Sequence, residues 1–216
     1  LKKHGVDVYR PKVIEEYNQI FTRDIGFVID NFFFKSNILP KRAKEFLGIR
    51  SILSNFKNQI VSMPENIHIE GGDVLYHFDT IFIGFYNNDD YSELFTARTN
   101  KAALDFFINF FPKKNVIGLH LNKSLNDPKK NILHLDCCLQ IVGKDKAKIN
   151  KNEMYEMTSN ILSINHYTVI SQPKFKRLNN WLRKNNIKVE EVDLTEVSKQ
   201  EGLFRCTSLP LIRFDE

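Results

Sequence analysis

With 216 residues, 42% of them hydrophobic and eighteen of them Phe, the chain is long enough to bury one substantial core. Its net charge of +5 comes from scattered lysines with small clusters at 113–114 and 174–184, a pattern of a solvated surface rather than of a nucleic-acid-binding stripe. No apolar run reaches the ~18 residues of a membrane span, no N-terminal pattern reads as a signal peptide, and three cysteines, two of them adjacent, make a poor disulfide framework, so a reducing, cytoplasmic setting is expected.

In chain order, residues 1–11 read as a helix end followed by a strand, without an initial Met, and an upstream segment is expected. A strand over 19–29, a turn at Asp30 and Asn31 and a returning strand over 32–34 lead into a helix over 41–55, which Pro40 suits as a start. A strand at 59–62 ends this first unit. The second opens with strands over 67–76 and 80–85. Its helix, over 100–111, places Leu104, Phe107, Ile108 and Phe111 at i, i+3, i+4 and i+7, and Pro112 ends it. A strand over 115–121 follows. A third unit begins with a buried strand over 132–142, shows no helix over 144–157, and resumes as a strand at 167–171. The fourth has a helix over 174–185 with Phe175, Leu178, Trp181 and Leu182 on one side, then strands over 188–192 and 203–212. The recurring order of paired strands, helix and strand predicts ββαβ modules in a single α/β domain spanning 1–216.

Polar residues interrupt the apolar runs at Phe21-Thr22-Arg23-Asp24, Glu70-Gly71-Gly72-Asp73, His134-Leu135-Asp136 and Arg205-Cys206-Thr207-Ser208. An uncompensated buried ion costs several kcal/mol, so four such insertions in analogous places are most simply explained by one shared polar cavity. Each also has a structural reading. Asp24 can pair with Arg23, the two glycines can form a hairpin turn or mark a close backbone approach, and His134 with Asp136 can be a structural pair. Two residues apart on a strand, that pair shares one face and makes a proton-transfer group, or with further acids a metal site, although neither His68 nor His77 is well placed to complete one. Cys137 and Cys138 read as inert small hydrophobes, whereas Cys206 has a polar flank and a neighbouring cation that would favour its thiolate.

These motifs, with Ala-Arg-Thr-Asn at 97–100 and the closing Phe-Arg-Cys-Thr-Ser-Leu-Pro-Leu at 204–211, stand in the order found in the amidinotransferase and guanidine-modifying superfamily. The chain resembles that superfamily, which includes arginine deiminase, dimethylarginine dimethylaminohydrolase and glycine amidinotransferase, over nearly its whole length. The resemblance implies a pentein-type α/β propeller of five ββαβ modules, about four of them visible here and the first largely preceding Leu1. It implies Cys206 as nucleophile, His134 as proton-transfer residue and Glu70 as the acid that binds and orients the guanidinium. Asp24 and Asp136 match the carboxylates that pair with guanidinium nitrogens, and Arg98 matches an arginine that holds a substrate carboxylate. Asp73 is expected to support the strands rather than touch substrate.

A small-molecule guanidino substrate is thereby expected, with no metal or organic cofactor, no nucleic acid and no membrane. The implied reaction is hydrolysis of arginine or an N-methylated arginine to citrulline and ammonia or an alkylamine. Amidino transfer to an amine and non-catalytic binding are the alternatives. A homo-oligomer is left open.

Overall fold

A backbone φ of 52° at Asp30 turns the chain back on itself, which pairs Gly26–Ile29 (β1) antiparallel with Phe32–Lys35 (β2). The computed structural model describes residues 1–57, 59–124, 126–143 and 151–213. After β2 the chain runs through a 3-10 helix, Pro40–Ile49, and one short turn of α-helix, Arg50–Leu53 (α1). It then returns as Gln59–Ser62 (β3), parallel to β2. Pro40 stands at the start of this helical crossover, where its missing N–H leaves no hydrogen bond unmade.

The same order occurs twice more among the described residues. Val74–His77 (β4) and Thr80–Phe85 (β5) form a hairpin, Lys101–Phe110 (α2) crosses over, and Asn115–His120 (β6) pairs parallel with β5. A short helix, Lys151–Tyr155 (α3), precedes the third set. There Leu162–Asn165 (β7) and Thr168–Ser171 (β8) form the hairpin, Lys176–Lys184 (α4) crosses, and Lys188–Glu191 (β9) closes the sheet before Thr195–Ser198 (α5). Each three-stranded sheet has the middle element of its unit at its centre.

The first two sheets share a core. Phe27 and Phe34 stack at 5.4 Å, and Phe34 meets Phe107 of α2 edge-on at 4.8 Å. Asn100 caps α2 by accepting a hydrogen bond from the N–H of Ala103 (3.0 Å). The buried face of α2 is set by Ala103 and Phe107, flanked by Phe106 and Phe110, and Ile108, expected on that face, is 46% exposed. Leu178 and Leu182 of α4 and Val169 of β8 centre a second core in the third unit.

Five expected strands are corrected. Only 26–29 of 19–29 and 74–76 of 67–76 are strand, while the strand expected within 1–11 is absent and 132–142 and 203–212 hold none of the named strands. Instead, Gly71–Asp73 and Leu135–Cys137 are 3-10 turns, and 204–207 is a run of turns. At the polar motifs the backbone closes local turns and reaches other segments instead of a ladder: Arg23 gives its N–H to Cys206, Leu135 to Asp73, and Arg205 and Cys206 to Asn160. The strands at 168–171 and 188–191, divided by the sequence between a third and a fourth unit, form one sheet with β7, and α4 is the crossover between them. Of the helix-free reading over 144–157, residues 144–150 lie outside the described residues, and 151–155 form α3. No helix among the described residues is long and apolar enough to cross a membrane.

Candidate active site

The four polar motifs lock together through the main chain. The N–H of Arg23 donates to the carbonyl of Cys206 (3.1 Å), and the N–H of Gly71 to that of Asp24 (3.4 Å). The carboxylate of Asp73 accepts from the N–H of Leu135 (2.8 Å) and from the hydroxyl of Thr99 (2.6 Å). Both glycines of the Glu-Gly-Gly-Asp motif are required by close approach rather than by a special φ. A Cβ on Gly71 would lie 2.1 Å from the carbonyl oxygen of Arg23, and one on Gly72 would lie 2.8 Å from the His134 ring.

Within this frame the side chains form a chain of charge. His134 Nε2 is 2.7 Å from Glu70 Oε2, and His134 Nδ1 is 3.9 Å from Asp24 Oδ1. Asp24 accepts from Arg42 Nη1 through its other oxygen (2.7 Å), and Arg42 also grips Glu45 with two donors (2.8 and 2.9 Å). Arg98 Nη1 reaches both oxygens of Glu70 (3.0 and 3.1 Å), and Arg205 Nε donates to Asp136 (3.1 Å). Asp24, Glu70, His134 and half-buried Arg98 thus form one side-chain network, while Asp136 pairs with Arg205 and Cys206 lies on the turn whose carbonyl holds Arg23, with Glu70 at 1%, Asp136 at 0% and Cys206 at 7% exposure.

Some placements differ from the sequence reading. His134 and Asp136 do not share a strand face: His134 caps a 3-10 turn, and the two side chains take different partners. Arg98 is bound to the protein's own Glu70 and to the carbonyl of Phe95. Asp24 pairs with Arg42, eighteen residues on, rather than with adjacent Arg23. Cys137 and Cys138 are half-buried, and all three cysteines are free.

The electrostatics follow from burial and pairing. Burial works to lower the His134 pKa, but the charge of Asp24, the hydrogen bond to Glu70 and the charge of Asp73 outweigh it and raise it to about 9. Burial alone would raise Glu70, yet His134 and Arg98 bring it down to about 2. At neutral pH the pair is thus imidazolium and carboxylate. Asp73 is raised to about 6 by burial, which outweighs the charges of His134 and Lys123. Burial pushes the Cys206 thiol well above the usual range, and the charges of Asp136 and Asp24 push it further. Burial also raises Asp24, whose Oδ1 is a buried acceptor without a hydrogen-bond partner.

Asp24, Glu70 and His134 offer ligand atoms all within 4.8 Å of one another, a set of hard oxygen and imidazole donors that could hold a divalent cation. Two arginines already neutralise these acids. Sequence reasoning missed Arg42 and Asn160. Asn160 lies in the polar run Thr158-Ser159-Asn160, directly ahead of an apolar strand, the same pattern that marked the other four motifs.

No family model matches the chain. Over 99% of its length it is 29% identical to the uncharacterized protein YkgA of Bacillus subtilis, covering 77% of that protein. Over 64% of its length it is 30% identical to the arginine deiminase of Oenococcus oeni, of which it spans 34%. Among solved structures, the fold matches ArgZ, an arginine dihydrolase from the ornithine–ammonia cycle in cyanobacteria, with a TM-score of 0.78 at 16% identity, over 98% of this chain and 36% of that one. It matches a citrulline complex of a dimethylarginine dimethylaminohydrolase mutant from Pseudomonas aeruginosa with a TM-score of 0.66 at 18% identity, over 85% and 72% of the two chains.

Proposed function

Because this chain has the pentein fold of the guanidine-modifying superfamily, we propose that it is a cysteine-dependent hydrolase of a guanidino compound, arginine or an N-methylated arginine, with Cys206 as nucleophile. The observation that carries this reading is the convergence of Asp24, Glu70, His134, Asp136 and Cys206 from four distant segments on one water-poor site. Asp24 Oδ1, which accepts no hydrogen bond, adds an acceptor suited to a cationic N–H.

A guanidinium is flat and cationic, so carboxylates on its edge bind it through charge-assisted hydrogen bonds and fix its plane. Its positive charge offsets Asp24 and Asp136, the two acids that add to burial in holding the thiol neutral, and so favours loss of the thiol proton to solvent. The thiolate attacks the central carbon and forms a C–S bond. His134, an imidazolium at neutral pH, gives its proton to the departing nitrogen as the C–N bond breaks. The now neutral His134 takes a proton from water, whose oxygen attacks the same carbon. The C–S bond breaks, the sulfur leaves as thiolate, the added hydroxyl gives its proton to solvent, and a ureido product remains. Glu70 keeps the imidazole oriented and stabilises its charged form.

The test is release of ureido product from arginine, methylated arginines and agmatine by the full-length protein, with mass spectrometry of Cys206 during turnover. A mass increase on Cys206 equal to the substrate less its departing amine, the substrate tail included, and loss of turnover in Cys206→Ser, are expected. Equal turnover by Cys206→Ser, or a new guanidino product in place of a ureido one, would overturn the hydrolytic reading.

A further inference from the structure

Asn160 is 1% exposed and uses its whole amide on the turn that carries the nucleophile. Its Oδ1 accepts from two successive backbone N–H groups, Arg205 (3.0 Å) and Cys206 (3.2 Å). Its Nδ2 stands 2.9 Å from the Cys206 sulfur. The two backbone donors settle which end of the amide is which. An inverted side chain would set NH2 against two N–H groups, so the donor end must face the sulfur.

The residue before it ties down the neighbouring motif. Ser159 Oγ donates to the carbonyls of Asp136 (3.0 Å) and Cys137 (2.6 Å). A left-handed turn at Met157 (φ 58°) delivers both side chains inward, just ahead of β7. Two adjacent residues therefore set the spacing between the Asp136 turn and the Cys206 turn.

We propose that Asn160 is a positioning residue for Cys206, holding its sulfur in one orientation and favouring the thiolate over the thiol. The physical ground is that an N–H donor gains much more from an anionic acceptor than from a neutral one. In a site where Asp24 and Asp136 oppose ionisation, such a donor acts in the other direction. The proposal rests on the reading of Cys206 as nucleophile, but its test does not need a substrate.

The test is the rate of Cys206 alkylation by iodoacetamide across pH, mapped by mass spectrometry to the Cys206 peptide so that Cys137 and Cys138 do not contribute. Asn160→Asp keeps the acceptor for the two N–H groups and replaces the donor with oxygen. Its alkylation at neutral pH should fall about tenfold or more, one pKa unit being a tenfold change in thiolate. The deficit should shrink at acid pH, where the new carboxyl is protonated and can donate. A rate–pH curve that overlays the parent's would overturn the proposal. Should that variant fail to fold, the parent decides: the Asn160 side-chain amide resonances should move more than any other side-chain amide when methyl methanethiosulfonate blocks Cys206, and unmoved resonances would overturn it. If Cys206→Ser kept full guanidine turnover while Asn160→Asp still slowed alkylation, the catalytic reading would fail and the Asn160–Cys206 coupling would stand.

Discussion

His134 and Glu70 meet at 2.7 Å, sixty-four residues apart in sequence and both nearly free of solvent contact. Their pairing keeps an imidazolium and a carboxylate together where neither would be stable alone. The pH dependence of stability follows. His134, raised from about 6.5 to about 9, contributes fully below pH 6.5 and loses that contribution as pH climbs through about 9. Glu70, lowered from 4.5 to about 2, contributes above pH 4.5 and loses it as pH falls toward 2. Asp73, raised from 3.8 to about 6, takes stability away as pH rises between those values. Urea denaturation should therefore show stability declining from about pH 6.5 to 9, and His134→Gln should flatten that part of the curve.

Glu70→Ala removes the partner of buried His134 and half-buried Arg98. Breaking a buried pair from one side costs about 3–5 kcal/mol. Chemical denaturation at neutral pH should show a loss of that size. An NMR titration should find the imidazole of the variant releasing its proton at lower pH than in the parent.

Gly72→Ala places a methyl group 2.8 Å from Cγ and Nδ1 of His134. Overpacking of this kind costs about 1–3 kcal/mol. The larger effect should be on rate, since a shift of about 1 Å in a proton-transfer group can cost about a hundredfold. Measured kcat/KM should fall by about that factor while the melting temperature moves modestly.

Phe107→Ala separates fold from site. Phe107 is fully buried between Phe27, Phe34 and Phe111, in the core shared by the first two sheets. Its loss should cost about 3–5 kcal/mol in urea denaturation. Activity per folded molecule should change little, because Phe107 packs among core aromatics and carries no polar group.

The legible part of the chain was its alternation. Thr80–Phe85 and the strand beginning at Asn115 read correctly because both carry uninterrupted apolar residues between clear turn signals. Helix α2 read correctly because its apolar residues recur at helical spacing and Pro112 stops it. Its inward face was misread by part of a turn, since periodicity fixes a stripe only to within the neighbouring residues, and Ala103 rather than Ile108 lies against Phe107's side of the core. The strands at 132–142 and 203–212 were misread for a different reason: local hydrophobicity cannot reveal that Leu135 gives its N–H to the Asp73 carboxylate, or that Arg205 and Cys206 give theirs to Asn160.

By itself the sequence determined which residue types were available for chemistry, a thiol, an imidazole and several acids in short polar interruptions, because burying them without compensation would be too costly to be accidental. Only the tertiary structure decided how that cost is met. Arg42 for Asp24, Arg98 for Glu70 and Arg205 for Asp136 are pairings across loops and modules, set by backbone geometry that no local pattern encodes. Charge neutralisation in a low-dielectric interior depends on distances of a few ångströms, and those exist only once the chain has folded.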